Sequence, residues 1–183
     1  MLRGKKVILR AIERDDLRRI WEIRNDEAVE VMAFGPPIPR SMAEMEAWFD
    51  KRLAERDSNV FAIEVDGQVV GTCNLRDIDP VHRRAELGIS LASEAIGKGY
   101  GSDSIRVLLD LAFTHMNLHK VSLDTLASNE PGLRAYRACG FVETGRMRQH
   151  EWFEGHWDDL ILMDILREDW LARSSGAADA EDP

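Results

Sequence analysis

Residues 96 to 101 read Ile96-Gly97-Lys98-Gly99-Tyr100-Gly101, followed by Ser102. Three glycines this close together remove side chains, so backbone can approach a ligand. If a helix begins at once, its first N–H groups have no acceptor of their own and converge on whatever anion sits there; a pyrophosphate suits such a place. A tight strand-to-helix turn with no ligand is the competing reading, because glycines punctuate loops in general. The phosphate loop G-x-x-x-x-G-K-[ST] cannot be fitted to Gly97 through Ser104. The dinucleotide fingerprint G-x-G-x-x-G places an acidic residue near Asp124, yet it needs glycine where Ser102 stands, and the motif arrives too late to open such a fold.

The flanking elements follow from apolar spacing. Ala85 to Leu91 alternates, with Leu87, Ile89 and Leu91 on one face and Glu86, Gly88 and Ser90 on the other, which predicts a strand entering the turn. Ile105, Leu108, Leu109, Ala112, Phe113 and Met116 form a helical stripe leaving it, and Val121 to Leu126 is the next strand. Asn129-Glu130-Pro131 has the cap and early proline of a further helix through Leu133 and Tyr136, stopped at Gly140.

Upstream, Val7 to Ala11 predicts a strand, and Asp15-Asp16 a helix start carrying Leu17, Ile20 and Trp21. That helix ends or bends at Arg24 to Glu27, before the loop at Gly35 to Pro39. Ser41 with Glu44 makes a capping box for a helix facing inward with Met45, Trp48, Phe49 and Leu53. Asp66-Gly67 joins the strands Val60 to Val65 and Gln68 to Leu75 as a tight hairpin. Arg146 to Ile165 reads as two strands around Glu154-Gly155. The order is β-α-α-β-β-β-α-β-α-β-β, a mixed α/β (α+β) chain.

This order and the glycine turn resemble the GNAT family of N-acetyltransferases over residues 7 to about 165. The family's cofactor motif is [QR]-x-x-G-x-[GA]; here Gly99 and Gly101 match the small positions and Ile96 stands where Gln or Arg is usual. A second match is Asn129, Gly132, Tyr136, Gly140 and Phe141 to N-x-x-[AG]-x-x-x-Y-x-x-x-G-F. Arg24-Asn25, His82 to Glu86 and Glu151 to Asp159 further resemble the Rim-type protein N-terminal acetyltransferases (RimJ/RimL-like) and spermidine acetyltransferases. The resemblance implies a mostly antiparallel central sheet flanked by helices and acetyl-coenzyme A as cosubstrate. It implies a cofactor site of Ile89, Ser90, Leu91, Ile96, Gly97, Lys98, Gly99, Tyr100, Gly101, Ser102 and Asn129. The acceptor would be an amine: a protein N-terminus, a polyamine or another small amine. A module that binds acyl-coenzyme A without catalysis is the alternative.

Thioester attack needs an uncharged amine, whereas an alkyl amine has a pKa near ~10. Glu86, on the polar side of the strand before the turn, is the first candidate to take the proton, directly or through water. It is equally readable as a carboxylate paired with Arg83 or Arg84; His150 and Asp158 are further candidates. By resemblance, a backbone N–H near Ile89 meets charge on the acetyl oxygen and Tyr136 protonates the departing thiolate. A core tyrosine is the plainer reading of Tyr136, since it shares a helical face with Leu133. No metal is expected: His115 and His119 lack the glutamate of H-E-x-x-H. Cys139 reads as a buried helix-end thiol. Trp21, Phe34, Trp152 and Trp157 would suit an amine pocket, core packing or a subunit interface, such as that of a homodimer.

The chain has 183 residues, 44% hydrophobic and 31% charged, a composition expected of one cytoplasmic globular domain over residues 1–173. No apolar run approaches the ~20 residues of a membrane span, and the basic start lacks a leader's cleavage pattern. A net charge of -9 argues against nucleic acid as partner and permits a cationic substrate. Cys73 and Cys139 are expected to be free thiols. Residues 174–183, acidic and without a large apolar side chain, are expected to be a disordered tail.

Overall fold

The computed structural model describes residues 1–32, 38–153 and 155–178. Asp66 and Gly67 both take positive φ, 50° and 78°, as a two-residue turn matched to strand twist requires. They fold β3 (Asn59–Val65) onto β4 (Gln68–Asp79). With β1 (Leu2–Arg3), β2 (Ile8–Arg10), β5 (Arg84–Leu91), β6 (Lys120–Leu126), β7 (Val142–Phe153) and β8 (His156–Leu166) these make one eight-stranded sheet, ordered β1-β2-β3-β4-β5-β6-β8-β7. Every neighbouring pair is antiparallel except β5 with β6, which are parallel. The architecture is the mixed, mostly antiparallel sheet expected.

Helices cover both faces. α4 (Tyr100–Asp110), widened to a π-helical turn at Leu111–His115, packs with α5 (Glu130–Cys139) on the face carrying Cys73, Leu75, Leu87 and Val121. Its stripe Ile105, Leu108, Leu109, Ala112 and Phe113 is buried as the periodicity demands. The opposite face meets α1 (Leu17–Arg24) and α3 (Met42–Ala54) through Ile20, Met45, Phe49 and Ala62. At the start of α3 the Ser41 Oγ accepts from the Glu44 N–H while Glu44 accepts from the Ser41 N–H at 2.6 Å, the reciprocal box that S-x-x-E predicts.

Three elements go beyond the expected order. β1 is a short edge strand on β2. The bend after α1 leads into a separate helix, α2 (Glu27–Met32); Phe34 and Gly35 to Pro37 lie outside the described residues, as does Glu154. The third is α6 (Arg167–Ala178), which runs into the stretch expected to be a tail. Its half-buried Trp170 packs against the main core, 6.4 Å from Phe113 between ring centroids, and Arg167 Nε donates to the Phe113 carbonyl at 3.2 Å, so a helix with little apolar periodicity is held by tertiary contacts. Residues 179–183 lie outside the described residues. Among the described residues no helix is long and apolar enough to cross a membrane.

Candidate active site

The parallel pair β5–β6 is short. Arg84, Ala85 and Glu86 oppose Lys120, Val121 and Ser122, and there the pairing stops. Beyond it β5 stays on β4 as far as Leu91 opposite Gly71, while β6 follows β8 as far as Leu126 opposite Leu160. The two strands part into a cleft. On the side facing it, the β5 backbone from Leu87 to Leu91 pairs with no strand among the described residues, so its N–H and C=O groups there are open to bonding. Ile89, Ser90 and Leu91, half-buried, line that edge.

The glycine turn closes the cleft at its end. Gly97 and Gly99 have φ of 79° and 82°, in the left-handed region, which explains glycine at both. A Cβ on Gly97 would meet nothing within 4 Å, so the turn opens outward; one on Gly101 would stand 3.3 Å from Leu91 Cδ1, where α4 crosses β5. The first helical bond of α4 runs from the Asp103 N–H to the Gly99 carbonyl at 3.1 Å. The N–H groups of Tyr100, Gly101 and Ser102 therefore lie ahead of it with no helical acceptor, and Gly99 supplies no side-chain cap. Lys98 and Gly99 are exposed, and the Lys6 ammonium reaches across to the Lys98 carbonyl at 3.0 Å. Bare backbone donors, positive dipole end and nearby cations fit a pyrophosphate; Ile96, 56% exposed, brings no polar group to it.

The buried carboxylate in this region is one that sequence reasoning missed. Asp103, 6% exposed, accepts from the backbone N–H groups of Lys5, Lys6 and Val7 at 3.2, 2.6 and 3.1 Å. It pins the loop between β1 and β2 to the start of α4. Nothing local marks it, because its partners are nearly a hundred residues away in the chain.

Glu86 is ion-paired, with Arg76 and not with the expected Arg83 or Arg84. The antiparallel register puts Arg76 directly opposite Glu86, a shorter reach than along the strand, and Arg84 turns to Asp79 at 3.7 Å. The Arg76 guanidinium also meets Asp124 of β6 at 3.5 Å. Glu86, Arg76 and Asp124 thus bridge the sheet where the cleft begins. On the same face Asn74, opposite Gly88, has a buried Oδ1 without a hydrogen-bond partner.

Tyr136 approaches from the other face, in the core cluster shared with Leu87 and Leu133. Its residue exposure is 9%, and its ring meets the Phe141 ring edge-on at 6.1 Å. Burial, with the negative charge of Asp124 adding to it, pushes the phenol up to about 12, so it stays protonated at neutral pH. Glu86 and Tyr136 lie on opposite faces of the sheet, with Glu86 at the last position where β5 pairs with β6. Asn129 serves as the cap of α5: its Oδ1 accepts from the Gly132 N–H at 3.1 Å and its amide donates to Thr125 Oγ1 at 3.0 Å. That cap, with Gly140 at φ 105° ending the helix, sets the position of Tyr136.

The remaining candidates stand further along β7 and β8. His150 Nε2 lies 3.8 Å from the Glu151 carboxylate. Burial raises the Asp158 carboxyl, but hydrogen bonds from Ser128 and the Asp159 N–H outweigh it and hold the group below its usual value. Trp152 and Trp157 are exposed and stack edge-on at 5.3 Å, while Trp21 is partly buried and donates to the Arg40 carbonyl at 2.5 Å. Both cysteines are free and buried, Cys139 against the Ser102 carbonyl at 3.5 Å.

Comparison with known proteins agrees with this geometry. Residues 6–142 match the model of the acetyltransferase (GNAT) domain. The chain is 34% identical to spermidine N(1)-acetyltransferase of Vibrio cholerae over 173 residues, 93% of this chain and 99% of the relative. It is 26% identical to a putative ribosomal N-acetyltransferase of Bacillus subtilis, over 91% of this chain and 94% of the relative. The crystal structure of the Vibrio cholerae spermidine N-acetyltransferase with CoA and spermine superposes with a TM-score of 0.86 at 32% identity, covering 92% of this chain and 99% of that one.

Proposed function

Because this chain belongs to the GNAT family of acetyltransferases, we propose that it moves the acetyl group of acetyl-coenzyme A to a primary amine of a polyamine by direct attack. The observation that carries this reading is the parting of β5 from β6 immediately before a helix start rich in free N–H groups. An extended pantetheine chain would add along the vacant β5 edge as a strand does, with its pyrophosphate on Gly97 to Ser102. Ile89, Ser90 and Leu91 offer that edge, and an N–H near Ile89 faces the thioester oxygen as it gains charge. Asn129 acts on the site through the helix it caps.

Glu86, directly or through water, takes the proton that the attacking nitrogen loses as its N–C bond forms. Tyr136 supplies a proton to the sulfur as the C–S bond breaks. The acceptor class rests on two supports. Glu86 and Asp124 set two carboxylates against one guanidinium at the cleft, leaving an excess of negative charge for a cation. The similar Vibrio cholerae enzyme is named for spermidine and was crystallised with spermine. The buried free thiols suit a reducing, cytoplasmic setting.

Thiol release with a panel of amines tests the acceptor. Spermidine and spermine are expected to exceed a peptide N-terminus with a single ammonium by about tenfold or more in kcat/KM, since each extra paired charge is worth about 1 kcal/mol or more in a partly desolvated cleft. Equal or better use of the peptide overturns the polyamine assignment.

The turn has its own test. Gly99→Val imposes a branched side chain on a backbone at φ 82°, where only glycine is unstrained. Coenzyme A affinity, read by calorimetry on folded protein, is expected to fall about tenfold or more. Parental affinity would remove the turn from the cofactor site.

A further inference from the structure

We propose that Lys6, on the loop between β1 and β2, is a cofactor-binding residue that brings to the pyrophosphate the cation absent at Ile96. This inference rests on the reading of Gly97 to Ser102 as the pyrophosphate turn. Sequence position gives no hint of it, since more than ninety residues separate Lys6 from the turn.

The loop is built to hold Lys6 in place. Three successive N–H groups, those of Lys5, Lys6 and Val7, close on the Asp103 carboxylate, and the Gly4 N–H bonds the Val7 carbonyl at 2.9 Å. A side chain on Gly4 would collide with Asp103, so glycine is required there for the loop to seat. The backbone of Lys6 is thereby fixed to the first turn of α4, and its stem needs only to cross to the glycine turn. Its ammonium lies 3.0 Å from the Lys98 carbonyl and 3.0 Å from where a Cβ on Gly99 would stand.

Electrostatics give that placement its meaning. The start of α4 is the positive end of the helix dipole, a poor place for an ammonium unless an anion shares it. Lys98 adds a second ammonium on the turn itself. Among the described residues neither Lys6 nor Lys98 makes an ion pair with a carboxylate. The Asp103 carboxylate is buried under the loop and engaged by its N–H groups. Two unpaired cations and a set of free helix N–H groups around open space suit a diphosphate, which would draw the Lys6 ammonium from the Lys98 carbonyl onto a phosphate oxygen. Ile96, exposed and apolar, cannot make this contact from the motif position.

The test uses the full chain with Lys6→Met and Lys6→Arg, titrated calorimetrically with coenzyme A at low and high salt. Lys6→Met is expected to weaken coenzyme A about tenfold, with a shallower salt dependence, and Lys6→Arg to stay within about threefold of the parent. Turnover of acetyl-pantetheine, which has no pyrophosphate, should be the same in parent and Lys6→Met. Unchanged coenzyme A binding in Lys6→Met overturns the proposal, as does an equal loss with acetyl-pantetheine, which would make Lys6 part of the loop's packing only. If Gly99→Val weakens coenzyme A and Lys6→Met does not, the role of Lys6 falls while the turn stands. If neither does, the turn falls as well.

Discussion

Tyr136→Phe is expected to lower turnover by about 10² or more with acetyl-coenzyme A affinity near the parent's. Phenylalanine keeps the ring, its edge-on contact with Phe141 and its place beside Leu133, so the helix should remain where it is. Only the hydroxyl goes, and with it the proposed proton donor; on that proposal the thiolate must then leave unprotonated or draw on water. Among the described residues nothing hydrogen-bonds this hydroxyl, so thermal stability should hold or rise slightly.

The pH behaviour follows from the phenol being pushed up to about 12. The acid stays loaded while the substrate amine, with pKa near ~10, becomes free base, so the parent's rate should climb with pH to about 10 without a tyrosine-linked fall. Stability has a definite sign. A group raised in the folded state stabilises fully below its unfolded value, ~10, and that contribution disappears as pH rises through about 12. The parent should therefore lose roughly 2–3 kcal/mol over that interval, and the Phe variant should not. A fall in turnover matched by a fall in melting temperature at neutral pH would make Tyr136 a structural residue. Full turnover in a stable variant would refute the acid role outright.

Glu86→Gln is the second large effect: a loss of about 10² to 10⁴ in rate at neutral pH, partly recovered at higher pH as free amine increases. Coenzyme A binding should survive, because Glu86 sits on the face opposite α4. Glutamine still accepts a hydrogen bond from Arg76 but takes up no proton, so rate and strand pairing are separated. If the Arg76–Glu86 pair only staples β4 to β5, the cost is at most about 1 kcal/mol of stability and the pH–rate profile is unchanged. Attention would then pass to Asp124, which shares the same guanidinium, and after it to His150 and Asp158.

Several parts of this site are legible without coordinates because their physics is local. Asp66-Gly67, the Ser41 box, the Asn129 cap with its closing Gly140 and the stripe from Ile105 to Phe113 each express preferences within a few residues. Gly97 and Gly99 likewise announce backbone that no other residue adopts easily, so the turn is visible in the letters. The helix Arg167–Ala178 is not, since it is secured by Trp170 meeting Phe113, a contact its own composition does not encode.

The amino-acid sequence by itself determined the order of the other elements, the glycine turn and the helix that carries Tyr136, but not β1, α2 or α6. Tertiary structure alone decided that β5 and β6 part after Glu86, that Glu86 pairs with Arg76 beside Asp124, and that Asp103 holds Lys6 beside the glycine turn. The division follows from range. Caps, turns and periodicity act over one or two helical turns, whereas a cleft between strands and a charge brought across nearly a hundred residues exist only once packing has chosen which segments become neighbours.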